Sequence, residues 1–341
     1  MNARCSQPDG GRSNLRVRLG KSSLANHGNA MSDPTVSDPA ASDPAVPDPA
    51  VSDPTASDPK APDPTASITI QQALAERFGE ELKVNEELPG LAALARIAGH
   101  RSHRRFLPRP VEPDLLRLLC ACALSAPSKS DLQQADIVIV RETAIRKAIV
   151  DTIPEMPWIM DAPVFLVFVG NGARLPMMSK RRDKPFPNDH LDAFFNAAVD
   201  GAIVMTTFIQ AATAVGLGIC PISSVRDYPS IVAKALNLPP RTVPIAGLCV
   251  GWPEQPGEIT PRLSLSTTMI ENHYGDRDLI GEIEAYDRRR AALRPYQRQR
   301  RIERWGEASF YGWSQDKARQ YAEPTRTDFG AFVREQGFRL D

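Results

Sequence analysis

The stretch GHRSHRRF, residues 99–106, places two histidines and three arginines within eight consecutive residues. Guanidinium groups form charge-assisted, often bidentate hydrogen bonds with phosphate oxygens, so this stretch has the chemistry of an anion site. Three interpretations are open: a nucleic-acid surface, a site for a phosphate-bearing cofactor, or a solvated basic turn. The chain balances 41 basic against 41 acidic residues and interleaves no aromatic residue with this basic run. Nucleic-acid binding is therefore the weakest of the three interpretations.

The sequence contains no other familiar catalytic signature. Its five histidines lack metal-ligand spacing, and it has neither a Gly-x-Ser-x-Gly nucleophile motif nor a Walker loop. The segment GNGARL, Gly170–Leu175, has leucine at the third glycine position and Pro176 directly after it. We expect no helix to open there, so a dinucleotide fingerprint is rejected. Gly216-Leu-Gly218 follows a predicted helix and indicates a C-terminal cap. No side chain is assigned to catalysis and none to a metal.

The five cysteines are few, odd in number and mostly set in apolar surroundings. This usage is typical of buried thiols in a reducing compartment, and we expect a cytoplasmic protein. The longest apolar run, residues 197–219, contains Asp200 and Gln210 and has no closely flanking lysine or arginine. It therefore predicts a core or dimer-interface helix and no membrane span.

Hydrophobic spacing predicts the elements that must position these residues. Helices are predicted near residues 70–84, 90–98, 113–125, 142–151 and 189–215. Short runs of β-branched and aromatic residues predict strands at 137–140, 164–169 and 245–251. This irregular order favours an α+β fold over regular βαβ alternation.

The N-terminal part of the chain has a different composition. Residues 32–66 are seven pentapeptides that each contain Asp-Pro, which predicts an extended, disordered segment. Residues 1–30 are basic and lack an apolar core, so they predict no secretory signal; a transit peptide and a start at Met31 both stay open. We therefore divide the chain into this leader with its repeats (1–66), a central domain (67–275) and a C-terminal helical extension (276–341).

Four loop signatures accompany the basic stretch. They are SAPS at 125–128, CPISS at 220–224, GLCVGWP at 247–253 and TPRL at 260–263. In this order and spacing the set resembles the FMN-dependent nitroreductase family, specifically its NADPH-dependent flavin reductase/nitroreductase group. The resemblance covers residues 90–275 well and continues more loosely to the C-terminus.

The resemblance implies a nitroreductase-like α+β fold with a central mixed sheet flanked by helices, and a homodimer with FMN at the subunit interface. It also implies a role for each matched residue. His100, Arg101 and Ser102 match positions that hold the phosphate and ribityl end, and Arg104 matches a basic residue near the pyrimidine edge. His103 and Arg105 are expected to face solvent. The remaining implied cofactor-binding positions are Ser128, Glu155, Ile222, Ser223, Ser224 and Arg262, the last as a second phosphate clamp.

This chain departs from the family pattern at several positions. Ser223 and Ser224 replace common glycines, so a backbone contact with the flavin requires that their loop avoid positive φ. Glu155 stands where a glutamine is frequent. The segment 310–312 lacks an arginine that relatives offer to substrate or to the NADPH phosphate.

The function implied by the resemblance is FMN-dependent oxidation of NADPH or NADH. A nitroaromatic, a quinone or a free flavin would be the second substrate in a ping-pong cycle. One alternative keeps the fold but makes the protein a flavin-binding or flavin-modifying protein with little NAD(P)H turnover. Another is an interaction protein whose Asp-Pro repeats recruit partners. The expected partners are a second copy of the chain and a small-molecule acceptor, with no nucleic acid and no membrane.

Overall fold

The sheet at the centre of the protein has four strands in the order β1-β2-β4-β3. The computed structural model describes residues 68–341, so the predictions for the basic leader and the Asp-Pro repeats lie outside the described residues. The strands are β1 (Ala135–Ile139), β2 (Val164–Asn171), β3 (Gly218–Ile222) and β4 (Thr242–Gly251). The helices are α1 (Ile70–Phe78), α2 (Leu91–Ala98), α3 (Pro113–Leu124), α4 (Thr143–Val150), α5 (Arg174–Arg181), α6 (Leu191–Ala214), α7 (Pro229–Ala235), α8 (Leu265–Thr268), α9 (Leu279–Leu293), α10 (Ile302–Trp305), α11 (Trp313–Tyr321) and α12 (Phe329–Glu335).

All three strand pairings are antiparallel, so the predicted mixed sheet was wrong, although the α+β class is confirmed. Among residues 68–341 the parallel contact is a single bridge between Ser102 and Ile219. Every residue of β2 except the last is buried, because helices cover both faces of this central strand. The edge strand β3 was not predicted, because it is short and contains Pro221. Proline is tolerated in a strand at the edge of a sheet.

Alternating side chains of β2 divide the interior into two hydrophobic layers. Leu166 and Phe168 face α3 and α6, and the Phe168 and Phe208 rings meet edge to face with centroids 5.8 Å apart. Phe165 and Val167 face the opposite layer, which α4 and α7 cover. The structure is therefore helix, sheet and helix, with both layers closed by buried aliphatic and aromatic side chains.

Close packing of α6 on β2 explains why residue 170 is a glycine, in the segment that resembled a phosphate-binding motif. A Cβ atom on Gly170 would lie 2.8 Å from the Ala197 carbonyl oxygen of α6. Packing against α6 therefore accounts for this glycine without a dinucleotide site. The expectation that no helix opens after this segment was wrong, because α5 begins at Arg174 and accommodates Pro176 in its first turn.

Two glycines end predicted helices. Gly79 adopts φ of +72° and ends α1 at Phe78, earlier than the predicted boundary near residue 84. Gly216, with φ of +84°, ends α6 as predicted. The amide of Leu217 donates to Ala212 O (3.0 Å) and that of Gly216 to Thr213 O (3.2 Å), which is a Schellman motif.

The helices after residue 275 return to the central part of the chain. In α9, Tyr286 packs edge to face on Trp313 of α11, with ring centroids 5.5 Å apart. The buried carboxylate of Asp287 accepts a hydrogen bond from the Ser314 amide (2.9 Å). In α12, Phe332 lies in a small hydrophobic cluster with residues of α7 and β4. The Tyr286 hydroxyl also donates to the Pro261 carbonyl oxygen (3.0 Å), so α9 holds the loop that precedes α8 and carries a candidate site residue.

We expect Gly170→Ala to lower the free energy of unfolding by about 1–3 kcal/mol, because the new methyl group would meet a backbone oxygen that cannot rotate away. The matched control is Gly275→Ala, where no atom lies within 4 Å of the added Cβ. Urea denaturation of both variants measures the difference. Equal stability of the two variants would contradict this account of the α6–β2 contact.

Candidate functional site

The basic stretch is anchored along the edge of the sheet. The amide of His103 donates to Ile219 O of β3 (2.8 Å), and the amide of Leu107 donates to Trp252 O (2.8 Å) just after β4. Phe106 forms a bridge with Pro253. These backbone contacts hold the segment extended across the ends of two strands, so its side chains alternate between opposite sides.

A buried arginine of α1 joins the basic stretch to the TPRL segment. The Arg77 guanidinium donates to the carbonyl oxygens of Ala98 (2.8 and 3.1 Å), His100 (2.6 Å) and Thr260 (2.8 Å). The Arg77 carbonyl in turn accepts a hydrogen bond from the Arg262 amide (2.7 Å). Two segments far apart in sequence, each carrying a predicted phosphate clamp, therefore share one buried residue.

The charges around Arg77 are predominantly positive. Burial, together with the charges of Arg262 and Arg101, lowers the pKa of Arg77 to about 10. Burial, Arg77 and Arg262 also lower the pKa of His100. Within residues 68–341, Arg77 and Arg262 form no ion pair with a carboxylate. The surplus of positive charge beside Arg262 suits an anion such as a phosphate group.

His103 is half-buried, so the expectation that it faces solvent was wrong. Its Nε2 accepts a hydrogen bond from the Gly257 amide (3.2 Å). The absence of side chains at Gly218 and Gly257 makes room for the ring, because added Cβ atoms would lie 2.9 and 3.1 Å from it. Burial, Arg101 and His100 lower the pKa of His103 to about 4, so the ring is neutral at pH 7. Arg105 is exposed, as expected.

The basic stretch borders two cavities. The first, of about 170 Å³, lies between α2 and the end of α6 and is lined by His100, Arg101 and His103 among small apolar residues. The second, of about 380 Å³, has Ser102, Arg104, Arg105, Gly257 and Arg294 in its lining. The second volume falls within the range of roughly 300–1,000 Å³ that is usual for small-molecule sites. Arg294 forms an ion pair with Glu258 at its rim.

Ser128 lies in a separate part of the molecule. Its hydroxyl donates to Oδ2 of the buried Asp200 (2.7 Å) and accepts from the Gln133 amide (2.7 Å). The amides of Lys129 (3.2 Å) and Gln134 (3.0 Å) also donate to Asp200. This carboxylate of α6 thus shapes the SAPS loop, which lines a third cavity of about 610 Å³.

The CPISS segment continues β3 beyond the basic stretch. Ile222 is the last residue of the strand and is buried, and Ser223 and Ser224 begin a 3-10 helix without positive φ. The condition for a backbone contact at these serines is therefore met. Glu155 is exposed in the turn after α4 and forms no side-chain hydrogen bond or ion pair within residues 68–341.

The predicted residues thus fall into two groups. One edge of the sheet gathers most of them: His100, Arg101, Ser102, Arg104, Ile222, Ser223, Ser224 and, through Arg77, Arg262. Ser128 and Glu155 lie elsewhere in the chain's fold. Sequence reasoning missed Arg77, Gly257 and Asp200. An arginine in the last turn of a helix is ordinary, so nothing local distinguished Arg77.

Two family models match the chain: "Nitroreductase family" over residues 97–252 and "Nitroreductase family, C-terminal domain" over residues 260–341. An FMN reductase (NAD(P)H) of Bacillus subtilis is 29% identical over 248 residues, which cover 72% of this chain and 97% of that protein. An oxygen-insensitive NADPH nitroreductase of Salmonella typhimurium is 30% identical over 53% of this chain and 74% of its own. The solved structure of NfrA2 from B. megaterium has a TM-score of 0.65 at 28% identity, covering 73% of this chain and 98% of its own.

We expect the free energy of unfolding to fall as the pH falls from about 6.5 to about 4. His103 in the unfolded chain takes up a proton near its ordinary pKa of 6.5, whereas the folded ring does so only near 4. Replacing His103 by glutamine keeps an acceptor for the Gly257 amide but removes the titration. The loss of stability between about pH 7 and about pH 5 should therefore shrink by about 1–2 kcal/mol in His103→Gln.

Denaturation by urea at both pH values measures this change. The control is His273→Gln, at an exposed histidine, which should lose as much stability as the wild type. An unchanged pH dependence in His103→Gln would contradict the neutral, buried state of this ring.

Proposed function

The chain belongs to the nitroreductase family, and we propose that it is an FMN-dependent NAD(P)H oxidoreductase that reduces nitroaromatic, quinone or flavin acceptors. One observation carries this proposal: Arg77 brings the positively charged basic stretch next to Arg262, and within residues 68–341 neither Arg77 nor Arg262 forms an ion pair with a carboxylate. A phosphate dianion is the group that such a cluster accommodates best. The names of relatives, which include FMN reductase and NADPH nitroreductase, support the same chemistry.

The residues at the edge of the sheet would bind the cofactor in distinct ways. Arg101 and Arg262 would bind the phosphate of FMN, and Arg104 would place a positive charge near its pyrimidine edge. The amides of Ser223 and Ser224 would face the ring system. Bound FMN supplies the hydride and electron chemistry, so the protein's own task is to position the cofactor and to tune its electrostatics. Because the cofactor supplies this chemistry, we assign no catalytic side chain to the protein.

Neutral His103 would preserve the shape of this site. Its Nε2 accepts from the Gly257 amide only while the ring lacks a proton there, and this hydrogen bond holds the loop beneath Arg101. A charged ring would add repulsion to the neighbouring arginines. Because burial, Arg101 and His100 lower the pKa of His103 to about 4, the ring keeps this hydrogen bond at pH 7.

We propose a homodimer, supported by apolar surface that a single chain leaves exposed. In α6, Phe195 is 60% exposed, and in α2, Leu94 and Ile97 are 40% and 50% exposed. Of residues 68–341, α6 alone is long and apolar enough to span a membrane. It packs along the sheet through buried residues such as Ala197, Val204 and Phe208, so an interface explains its remaining apolar face better than lipid does.

The dimer also offers a reason for the separate position of Ser128. Its cavity is distinct from the two beside the basic stretch within one chain. Across a two-fold interface, the SAPS loop of one protomer would complete the flavin site of its partner.

The free, buried thiols of Cys220 and Cys249 suit a reducing environment, which supports a cytoplasmic location.

We expect the purified full-length protein to show the visible absorption of oxidised flavin and to bleach when NADPH is added without oxygen. FMN that stays oxidised in the presence of NADPH would favour the flavin-binding alternative. A colourless protein that cannot be reconstituted with FMN would overturn the proposed function.

The double variant Arg101→Ala, Arg262→Ala tests the assignment of the phosphate clamp in the same assay. Loss of two charge-assisted contacts should weaken FMN binding at least about 100-fold. The matched control replaces the exposed arginines Arg117 and Arg288 by alanine and should retain FMN. Full FMN content in the clamp variant would refute the assignment.

We expect Phe195→Glu to weaken dimerisation at least about tenfold, because a carboxylate would be buried in an apolar interface. Analytical ultracentrifugation over a range of concentrations measures the dissociation constant. Tyr274→Glu, at a site that is 82% exposed, is the control and should dimerise normally. A wild-type protein that is monomeric at micromolar concentration would contradict the proposed assembly.

A further inference from the structure

Helix α1 lies before residue 97, where the first family match begins, yet it contacts the centre of the candidate site. It is a well-formed helix. A capping box joins Thr69 and Gln72 at its start, and Gly79 ends it in the left-handed conformation. Arg77 in its last turn is only 6% exposed. A segment outside the matched family domain therefore supplies one of the few buried charges among the described residues.

The guanidinium of Arg77 connects the two halves of the predicted phosphate clamp. Its planar fork donates to Ala98 and His100 on one side and to Thr260 on the other. The first pair ends α2 and begins the basic stretch, directly before Arg101. Thr260 lies two residues before Arg262. No lysine could reach all three carbonyl oxygens at once, because its ammonium group lacks this fixed, forked geometry.

The backbone and neighbours of α1 hold the TPRL segment from further directions. The Arg77 carbonyl accepts from the Arg262 amide (2.7 Å) and from Nη1 of Arg289 (3.4 Å). Arg289 also donates to the Arg262 carbonyl. Just after α1, the Glu80 carboxylate accepts from the Leu265 amide (2.8 Å). The position of Arg262 therefore depends on α1 through contacts on both sides of it.

We propose, on the basis of the function proposed above, that Arg77 is a positioning residue for the cofactor phosphate. It sets the separation between the turn that bears Arg101 and the segment that bears Arg262, so α1 is part of the cofactor site. Arg77 itself lines none of the described cavities, and it therefore acts through the two clamp residues.

Electrostatic repulsion distinguishes this role from that of a buried arginine that only stabilises the fold. Burial and the charges of Arg262 and Arg101 disfavour the charged form of Arg77, and an anion bound nearby would offset this repulsion. Arg319 in α11 offers a comparison: it is 4% exposed and likewise donates to a backbone carbonyl, that of Arg300 (2.8 Å). It lines none of the described cavities, so it braces the fold without a link to the predicted phosphate site.

The test compares full-length wild type with Arg77→Met, Arg77→Lys and the matched control Arg319→Met. Each protein is titrated with FMN and with riboflavin, which has the same ring system but no phosphate, and its thermal midpoint is measured. We expect Arg77→Met to weaken FMN binding at least about tenfold and riboflavin binding less than about twofold. Arg77→Lys should fall between wild type and Arg77→Met. Arg319→Met should lower the thermal midpoint but bind FMN within about twofold of wild type.

The outcomes separate this inference from the proposed function. A wild type that binds no FMN overturns both, whereas normal FMN binding by wild type and by Arg77→Met overturns only the role of Arg77. An equal loss of FMN and riboflavin would make Arg77 a structural residue and also refute it. If Arg77→Met does not fold, Arg77→Lys decides, because it keeps the charge but cannot form all three contacts.

Discussion

The buried guanidinium of Arg77 is the interaction on which the site depends. It satisfies three carbonyl oxygens from two segments that are separated by about half of the chain. Backbone carbonyls that lose such a donor while partly buried cost free energy, so Arg77 couples the positions of the two segments. The basic stretch gains its remaining order from backbone hydrogen bonds to β3 and to the residue that follows β4. One helix and one sheet edge thus fix the positions of most candidate cofactor-binding residues.

The charge distribution follows from this arrangement. Burial and the charges of Arg262 and Arg101 lower the pKa of Arg77, and burial with neighbouring positive charges likewise lowers the pKa values of His100 and His103. A fold does not gain stability from assembling like charges. Their assembly is intelligible when an anion occupies the site, and membership of the nitroreductase family makes the phosphate of FMN the natural candidate.

The SAPS loop, which carries the predicted cofactor residue Ser128, depends on α6. Its buried Asp200 accepts hydrogen bonds from the Ser128 hydroxyl and from two amides, which gives the SAPS loop its conformation. The same helix presses against β2 where Gly170 allows close approach, and it leaves Phe195 exposed on its outer side. A single helix therefore organises the loop, the sheet contact and an apolar surface suited to a second protomer.

The sequence by itself determined the features that arise from neighbouring residues. Composition and spacing predicted the basic stretch, the buried strands and the end of α6 at Gly216. The ordered set of loop signatures carried the resemblance to the nitroreductase family. Tertiary structure alone decided the antiparallel sheet, the burial of His103, the hydrogen bond between Ser128 and Asp200 and the hydrogen bonds of Arg77. The physical reason is range. Helix and strand patterns depend on residues a few positions apart, whereas these hydrogen bonds join groups whose local sequence holds no sign of a distant partner.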